Sequence, residues 1–412
     1  MAYIAQKTRY RWLMLMVLSL LYFLAYFHRT SSAVVAKTLM SEFAVSALAI
    51  SLMASLYFYP YAFMQVPVGF LSDTVGARRT VTVFTFVAFL GCVLFSIATE
   101  FNIILIARTL IGIGVSGVFI PAVKVISRWF EKNEFATALG TFKTFGALGA
   151  VTSGYFLALM VVIFGWRSTF AILALFTIIL AFLCFFLIKD YPKNDPKVSS
   201  EKLDFKDTAK IILKSRYFWI FASFQFFLNG ALMGFQGLWG GPYLMDVYKL
   251  DEVGTGKILT TIGIGLLFGA PAIGLLSDRV LQSRKIALSA FSLIFMLSWI
   301  PLAFFTASLS KEVLYVVCFT MGFTGSVVVI VNTMIKEIFP LSITGTAASS
   351  VNIFPFIGGA IFQMLMGFII ESFDSESYSA FSYSVAFKLC FLGALIAFIC
   401  SLLTRETYEK VN

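Results

Sequence analysis

Long apolar runs dominate this chain and limit what it can fold into. A helix that crosses a bilayer needs about 20 predominantly apolar residues, and runs of that length recur from residue 12 to residue 404. The chain is 59% hydrophobic and only 13% charged, whereas a soluble domain carries about 25% charged residues. No water-soluble core could bury so many apolar side chains. The sequence therefore predicts an all-α, multi-pass membrane protein.

Twelve membrane helices can be placed, and a polar stretch divides them into two sets of six. We number them helix 1 to helix 12, at 12–37, 46–72, 80–98, 101–128, 136–161, 166–188, 217–247, 255–277, 286–307, 312–335, 347–371 and 381–404. The polar stretch 189–216 holds eight Lys/Arg and five Asp/Glu. It predicts a cytoplasmic linker with a surface-lying helix between a bundle at 1–188 and a bundle at 217–412.

Basic residues are concentrated in alternate loops, and this gives the predicted orientation. The positive-inside rule then places both termini in the cytoplasm. The basic residues are Lys7, Arg9, Arg11, Arg78, Arg79, Arg128, Lys132, Arg279, Arg284, Lys285, Lys336, Arg405 and Lys410, and the acids of the opposite loops include Glu100, Asp251, Glu252, Glu371 and Asp374. The net charge of +10 is thus explained without a nucleic-acid partner. Frequent Phe, Lys and Ile suggest a bacterial inner-membrane protein.

Two pairs of similar sequence segments relate the two halves of the chain. GFLSDTVGARR at 69–79 is matched by GLLSDRVLQSRK at 274–285, each after the second helix of its half. A weaker match links 128–150 with 337–360. Repeats with the same membrane orientation are typical of certain transporter folds.

With these motifs placed, the chain resembles the major facilitator superfamily. The resemblance rests on Gly69, Asp73, Gly76, Arg78 and Arg79 after helix 2, and on RTLIGIGVSG in helix 4, with Arg108, Gly112, Gly114 and Gly117. It implies two pseudo-symmetric six-helix bundles, alternating access and a monomer. Helix 5 lacks the family's Gly-Pro antiporter signature, which disfavours a drug/proton antiporter.

The family motif predicts gating residues. Asp73 is expected to pair with bases across the interface between the halves, as a latch that breaks and reforms. The predicted gating set is Gly69, Asp73, Gly76, Arg78, Arg79, Arg108, Asp278 and Arg284.

Buried bases without buried acids indicate the substrate class. All 21 acidic residues fall in loops or at helix ends, while five bases lie within apolar runs: Arg29, Arg108, Lys124, Lys143 and Lys388. Ionisable residues inside a membrane helix are candidate functional sites. A cavity lined by cations predicts an anionic substrate, or a zwitterion held by its carboxylate.

Arg29 is the strongest candidate, because Tyr22, Tyr26 and Arg29 share one helical face and a guanidinium can bind two carboxylate oxygens. Lys143 lies about 12 Å into helix 5 at 1.5 Å per residue. The alternatives are that Arg29 and Lys124 reach the interface and that Arg108 makes structural hydrogen bonds. Lys388 is expected to be peripheral.

Polar residues complete the predicted site. His28 is a candidate for carrying a coupled proton. The further substrate contacts are Tyr57, Tyr61, Gln225, Asn229, Gln236, Asn332 and Asn352, although helix-packing hydrogen bonds would explain each of them singly. No base lies deep in helices 7–11, which favours a monocarboxylate or an amino-acid-like zwitterion over a symmetrically held dianion.

These expectations define a secondary transporter of a small organic anion or zwitterion, with proton symport as the expected coupling. A sugar-phosphate or anion exchanger is the alternative, and an anion sensor signalling through 189–216 is a second. The chain contains no P-loop, HExxH, CxxC or GxSxG motif, so neither ATP hydrolysis nor another enzymatic activity is expected. Five cysteines in apolar runs predict neither disulfides nor a metal site, and no cofactor is expected.

Overall fold

The computed structural model describes residues 2–191, 205–340, 343–373 and 378–408, which form helices and connecting turns with no strand. In lipid every backbone polar group must be paired within the protein, and helices achieve this within one segment. The bounds are helix 1, Ala2–Thr30 with Ser32–Phe43; helix 2, Ala47–Thr74; helix 3, Ala77–Ser96; helix 4, Phe101–Ser116 with Phe119–Trp129; helices 5 and 6 together, Lys132–Leu187; helix 7, Arg216–Gly234, Phe235–Trp239 and Gly240–Tyr248; helix 8, Glu252–Leu275 with Leu276–Val280; helix 9, Arg284–Phe304; helix 10, Lys311–Gly325 with Val328–Ile338; helix 11, Thr344–Val351 with Phe354–Phe373; and helix 12, Ala380–Leu402.

Helices 5 and 6 form a hairpin within one continuous helical segment. Gly165 has φ +74°, a conformation that favours glycine, and it reverses the chain. The segment starts where Glu134 pairs with Arg11 at 2.7 Å, and after the turn Arg167 pairs with Glu42 at the other end of the bundle. The segment therefore crosses twice, and the predicted twelve-helix, two-bundle fold is confirmed.

Several helices are interrupted near their middle. Helix 1 breaks at Ser31, helix 4 at Gly117, helix 10 at Ser326 and helix 11 at Asn352, while helix 7 widens into a π-helix at Phe235–Trp239. Such breaks are tolerated in membrane helices where neighbouring helices satisfy the freed backbone groups. Of these, helices 1, 7 and 11 contact the other half, so part of the interface is formed by irregular helices.

Two carboxylates that the sequence analysis overlooked cap the N-termini of corresponding helices in the two halves. Asp190, just after helix 6, accepts from the backbone N of Arg78 at 2.9 Å, at the start of helix 3. Glu406, just after helix 12, accepts from the backbone N of Arg284 at 2.8 Å and from the Ser283 hydroxyl, at the start of helix 9. Each carboxylate accepts hydrogen bonds from amides that are otherwise unpaired at a helix N-terminus. The same arrangement therefore occurs in both halves.

Acidification is expected to destabilise the protein through protonation of Glu406. Its carboxyl is partly buried, but hydrogen bonds from the Ser283 hydroxyl and from backbone amides hold its pKa below the usual value. The stabilisation is therefore complete above the unfolded pKa of about 4.3 and is lost as the pH falls through the folded pKa. The melting temperature of wild type should exceed that of Glu406→Gln at pH 6, and the difference should shrink towards pH 3.5. The exposed Glu100→Gln controls for loss of one charge; a difference that grows on acidification would contradict the assignment.

Part of the predicted linker can be compared with the structure. Residues 192–204 of the linker, and Asp374 and Lys410 of the loop analysis, lie outside the described residues. A short helix, Phe205–Lys214, precedes helix 7 as expected. Its Ile211 and Leu213 are exposed, while Ile212 is buried, which suits a position at the membrane surface.

The halves touch in the middle and at the end away from the termini, here called the far end. Across the interface, Lys37 pairs with Asp246 at 2.8 Å, and Glu371 accepts from the backbone N of Leu48 at 2.6 Å. At the end that carries the termini, here called the near end, no hydrogen bond or ion pair joins the halves within the described ranges. The structure is therefore closed at the far end and open at the near end.

Candidate anion site between the halves

Arg29 lies between the two halves, just before the break in helix 1. Its guanidinium carbon is 4.1 Å from the centre of the Tyr26 ring, 5.8 Å from that of Tyr61 and 4.9 Å from that of Phe356. Tyr26 and Tyr61 belong to the first half and Phe356 to helix 11 of the second. The side chain is only 9% exposed, so it does not extend to the membrane interface.

No carboxylate neutralises Arg29 in the described part of the chain. The ion pairs found there join Arg11, Lys37, Lys124, Arg167 and Arg284 to acids at the helix ends. Aromatic faces attract a guanidinium but contribute only about 0.5–2 kcal/mol each, whereas burial of an unpaired charge costs several kcal/mol. The arrangement is thus complementary to an anion that enters from the open end.

Lys143 and Lys336 extend the positive charge towards the near end. Lys143 is exposed, three residues before Gly146, where helix 5 packs on Tyr22 and Tyr26. Lys336 is in the last turn of helix 10. The prediction that no base lies deep in the helices of the second half agrees with this position, and the role of Lys143 in substrate binding stays a prediction.

The predicted tyrosines divide into two kinds. Tyr26 and Tyr61 border Arg29, and the Tyr61 ring stacks on Phe356 with centres 4.1 Å apart. Tyr22 stacks on Phe142 at 4.3 Å, and the Tyr57 hydroxyl donates to the carbonyl of Ala25 at 2.7 Å. Tyr22 and Tyr57 therefore also make packing contacts within the first half, and contact of either residue with a substrate stays a prediction.

The predicted amides are distributed around the middle of the second half. Gln225 accepts from Asn229 through its side chain at 2.8 Å, and Oε1 of the buried Gln236 has no partner among the described residues. Asn332 and Asn352 make no side-chain hydrogen bond to another described residue. Gln363, which the sequence analysis did not select, is fully buried; its Nε2 donates to the carbonyl of Met233 at 3.1 Å.

Arg108 and His28 lie inside the first bundle. Arg108 donates to the carbonyl of His28 at 3.2 Å and to the hydroxyls of Ser31 at 3.3 Å and Ser32 at 2.6 Å. It thereby satisfies the backbone at the break in helix 1. The His28 ring is buried against Cys92, whose Sγ is 3.6 Å from Nε2, and Nδ1 has no partner among the described residues. His28 thus points away from the cleft, and its role in proton coupling stays a prediction.

The near-end motif residues are partnered within their own halves. Asp73 forms an ion pair with Lys124 of helix 4, not with a base of the other half as expected, because the halves are apart at this end. Asp278 pairs with Arg284, which also contacts Glu337.

The remaining motif residues have separate environments. Gly76 has φ +103° and packs on the Asp190 carboxylate, where a Cβ would lie 2.8 Å from Oδ2. The Arg78 guanidinium lies 4.9 Å from the centre of the Phe185 ring. Arg79 is exposed, and a Cβ on Gly69 would meet no atom within 4 Å.

The comparisons with known proteins now define the class. The family model described as Major Facilitator Superfamily matches residues 18–363 and 241–412. The chain therefore belongs to the major facilitator superfamily, and the resemblance noted from its motifs is confirmed. A bacterial homologue of the human lysosomal transporter Spinster, described as inward-facing and unoccupied, superposes with a TM-score of 0.77 at 18% identity, covering 95% of this chain and 97% of that one.

Several relatives are named as transporters of organic acids. A probable sulfoacetate transporter of Cupriavidus necator is 25% identical over 98% of this chain and 97% of its own. The hexuronate transporter of Bacillus subtilis is 26% identical over 84% of this chain and 85% of its own. A probable L-galactonate transporter of Escherichia coli is 26% identical over 70% and 68%, respectively.

Proposed function

We propose that this protein is a secondary transporter that moves a small organic anion by alternating access. The observation that carries the proposal is Arg29, buried between the halves in a cage of aromatic rings with no carboxylate partner among the described residues. An anion supplies the missing counter-charge, and a guanidinium can hold a carboxylate or sulfonate through two oxygens. The relatives named for sulfoacetate, hexuronate and L-galactonate support the same class of substrate.

We further propose that the units 1–188 and 217–412 rock about this site. The distribution of Lys and Arg supports cytoplasmic termini; with that orientation the open near end faces the cytoplasm and the protein is in an inward-open state. The transporter is proposed to act as a monomer in the lipid of a bacterial inner membrane.

Proton symport is the proposed coupling, and anion exchange is the second candidate. Exchange is favoured by the positive charge at Arg29, which has no carboxylate partner among the described residues, because an empty cleft lined by a cation changes conformation at a cost. Symport would require a group that takes up a proton together with the anion, and His28 is the candidate. A transporter-like sensor would bind the anion without moving it.

The test is a screen of purified protein followed by uptake into proteoliposomes. Monocarboxylates, uronates, aldonates, sulfoacetate, amino acids and sugar phosphates are compared with uncharged analogues such as free sugars. Anions of one class should raise the melting temperature by mass action, by an amount equivalent to about 2.7 kcal/mol at 100 times Kd, and uncharged analogues should not. Uptake driven by an imposed proton gradient indicates symport, and uptake that needs internal anion indicates exchange. Stabilisation by neutral sugars alone would contradict an anion site.

A further inference from the structure

The near ends of helices 7 and 12 carry two arginines that contact one tyrosine ring. The guanidinium carbon of Arg216 is 4.8 Å from the centre of the Tyr217 ring, and that of Arg405 is 5.1 Å from it. Arg216 also donates from Nη2 to the Tyr217 hydroxyl at 2.7 Å. Arg216 is the first residue of helix 7, and Arg405 follows the end of helix 12 at Leu402. The two positive charges are therefore held at one place, where two packed helices end.

No carboxylate of a described residue pairs with either arginine. The acid next to Arg405 in the sequence is Glu406, which accepts instead from the Ser283 hydroxyl and from the backbone N of Arg284. The side chains of Arg216 and Arg405 are both exposed. A guanidinium fork fits two phosphate oxygens, so the pair offers a binding place for an anion from outside the protein.

The short helix before helix 7 places this pair at the level of the membrane surface. The indole Nε1 of Trp219, in helix 7, donates to the carbonyl of Leu213 at 2.9 Å and so joins Phe205–Lys214 to helix 7. The side chains of Ile211, Leu213 and Trp219 are 54%, 51% and 50% exposed. Exposed aliphatic side chains beside a tryptophan are typical of the boundary between the hydrocarbon and headgroup layers of a bilayer. Trp219 is about one helical turn after Arg216, so the arginine pair lies at the level of the lipid headgroups.

We propose that this surface binds the headgroup of an anionic phospholipid in the leaflet at the near end, with the phosphate held by Arg216 and Arg405. Lys210 and Lys214 are also exposed and share one face of the short helix, so they add positive charge beside the pair. Clusters of bases at the ends of membrane helices attract anionic headgroups, and each base strengthens binding about fivefold. The position is separate from Arg29, which lies at the break in helix 1, so the inference does not depend on the identity of the substrate.

The experiment measures the Kd of the first bound lipid by native mass spectrometry of delipidated protein in a non-ionic detergent. The probes are phosphatidylglycerol and phosphatidylcholine with identical acyl chains. Wild type should bind phosphatidylglycerol at least about 10-fold more tightly, since two arginines contribute. Arg216→Gln and Arg405→Gln should each weaken phosphatidylglycerol binding about fivefold and leave phosphatidylcholine binding unchanged. Arg279→Gln is the matched control, because Arg279 is an exposed arginine in the last turn of helix 8 with no aromatic contact to a described residue, and it should bind both lipids as wild type does.

Three results would overturn the inference. Equal affinity of wild type for the two lipids would show that the arginine pair does not recognise an anionic headgroup. An equal loss of phosphatidylglycerol binding in Arg216→Gln, Arg405→Gln and Arg279→Gln would show that the positive charge of the near end acts as a whole, without a site at Tyr217. Displacement of the bound lipid by millimolar glycerol 3-phosphate would show that the arginines bind a free phosphate and that the bilayer is not its source.

Discussion

Arg29→Met is expected to abolish anion uptake while leaving the empty protein at least as stable as wild type. Truncating one partner of a buried charged contact costs about 2–5 kcal/mol in binding, and 3 kcal/mol corresponds to more than 100-fold in Kd. In the empty protein the same charge is buried without a carboxylate, so its removal relieves a desolvation cost. The loss of three cation–π contacts partly offsets this gain. Loss of binding without loss of stability is the signature of a ligand-binding residue.

The measurement pairs the anion Kd with the melting temperature of the ligand-free protein. Arg108→Met is the matched control, since it removes a second buried arginine that is 1% exposed. Arg108 bonds to a backbone carbonyl and two hydroxyls at the break in helix 1, so its removal leaves buried polar groups unpaired at about 1–3 kcal/mol each. That variant should melt lower. If Arg29→Met melts lower to the same extent and still binds the anion, Arg29 is structural.

The fold could be predicted because its constraints are local. Each helix is specified by its own apolar length, and the twofold repeat is visible in 69–79 and 274–285. Even the hairpin at Gly165 was placed within a few residues, since FGWR interrupts the apolar run. The breaks in helices 10 and 11 were harder to predict from the sequence, because they depend on packing against neighbouring helices as much as on composition.

The candidate site was only partly predictable. Arg29 and Lys143 are conspicuous because a charge within an apolar run is costly. Phe356 gave no such signal, since an aromatic residue in a membrane helix is ordinary, and its stacking on Tyr61 depends on how the halves meet.

The helix-capping carboxylates and the ion pair at the far end were not predicted from the sequence, for a related reason. Asp190 and Glu406 act on amides more than 100 residues away. The pair of Lys37 with Asp246 joins two different halves. Long-range pairing leaves no periodic pattern in one sequence, whereas helix length does.

Gly241→Ala is expected to stop transport by preventing closure of the far end. Helix 7 crosses helix 1 so closely that a Cβ on Gly241 would lie 1.7 Å from the carbonyl oxygen of Ala33. The obstacle is backbone on both sides, so no side chain can move aside. The far-closed state is expected to lose about 3 kcal/mol, which changes the ratio of the two states more than 100-fold. Uptake should fall at least 10-fold, because the cycle needs both states.

The measurement is the distance between spin labels attached at Ser41→Cys and Lys311→Cys, two positions that are exposed at the far end. The five native cysteines are buried, so the labels should react at the two introduced cysteines. In Gly241→Ala the distance distribution should shift to longer values. Gly345→Ala is the matched control, since a Cβ there meets no atom within 4 Å, and its far-end distance should equal that of wild type. The variant must remain folded, because the clash exists in the far-closed state and is relieved when the halves separate at that end. An unchanged distance with normal uptake would show that the crossing of helices 1 and 7 does not control closure.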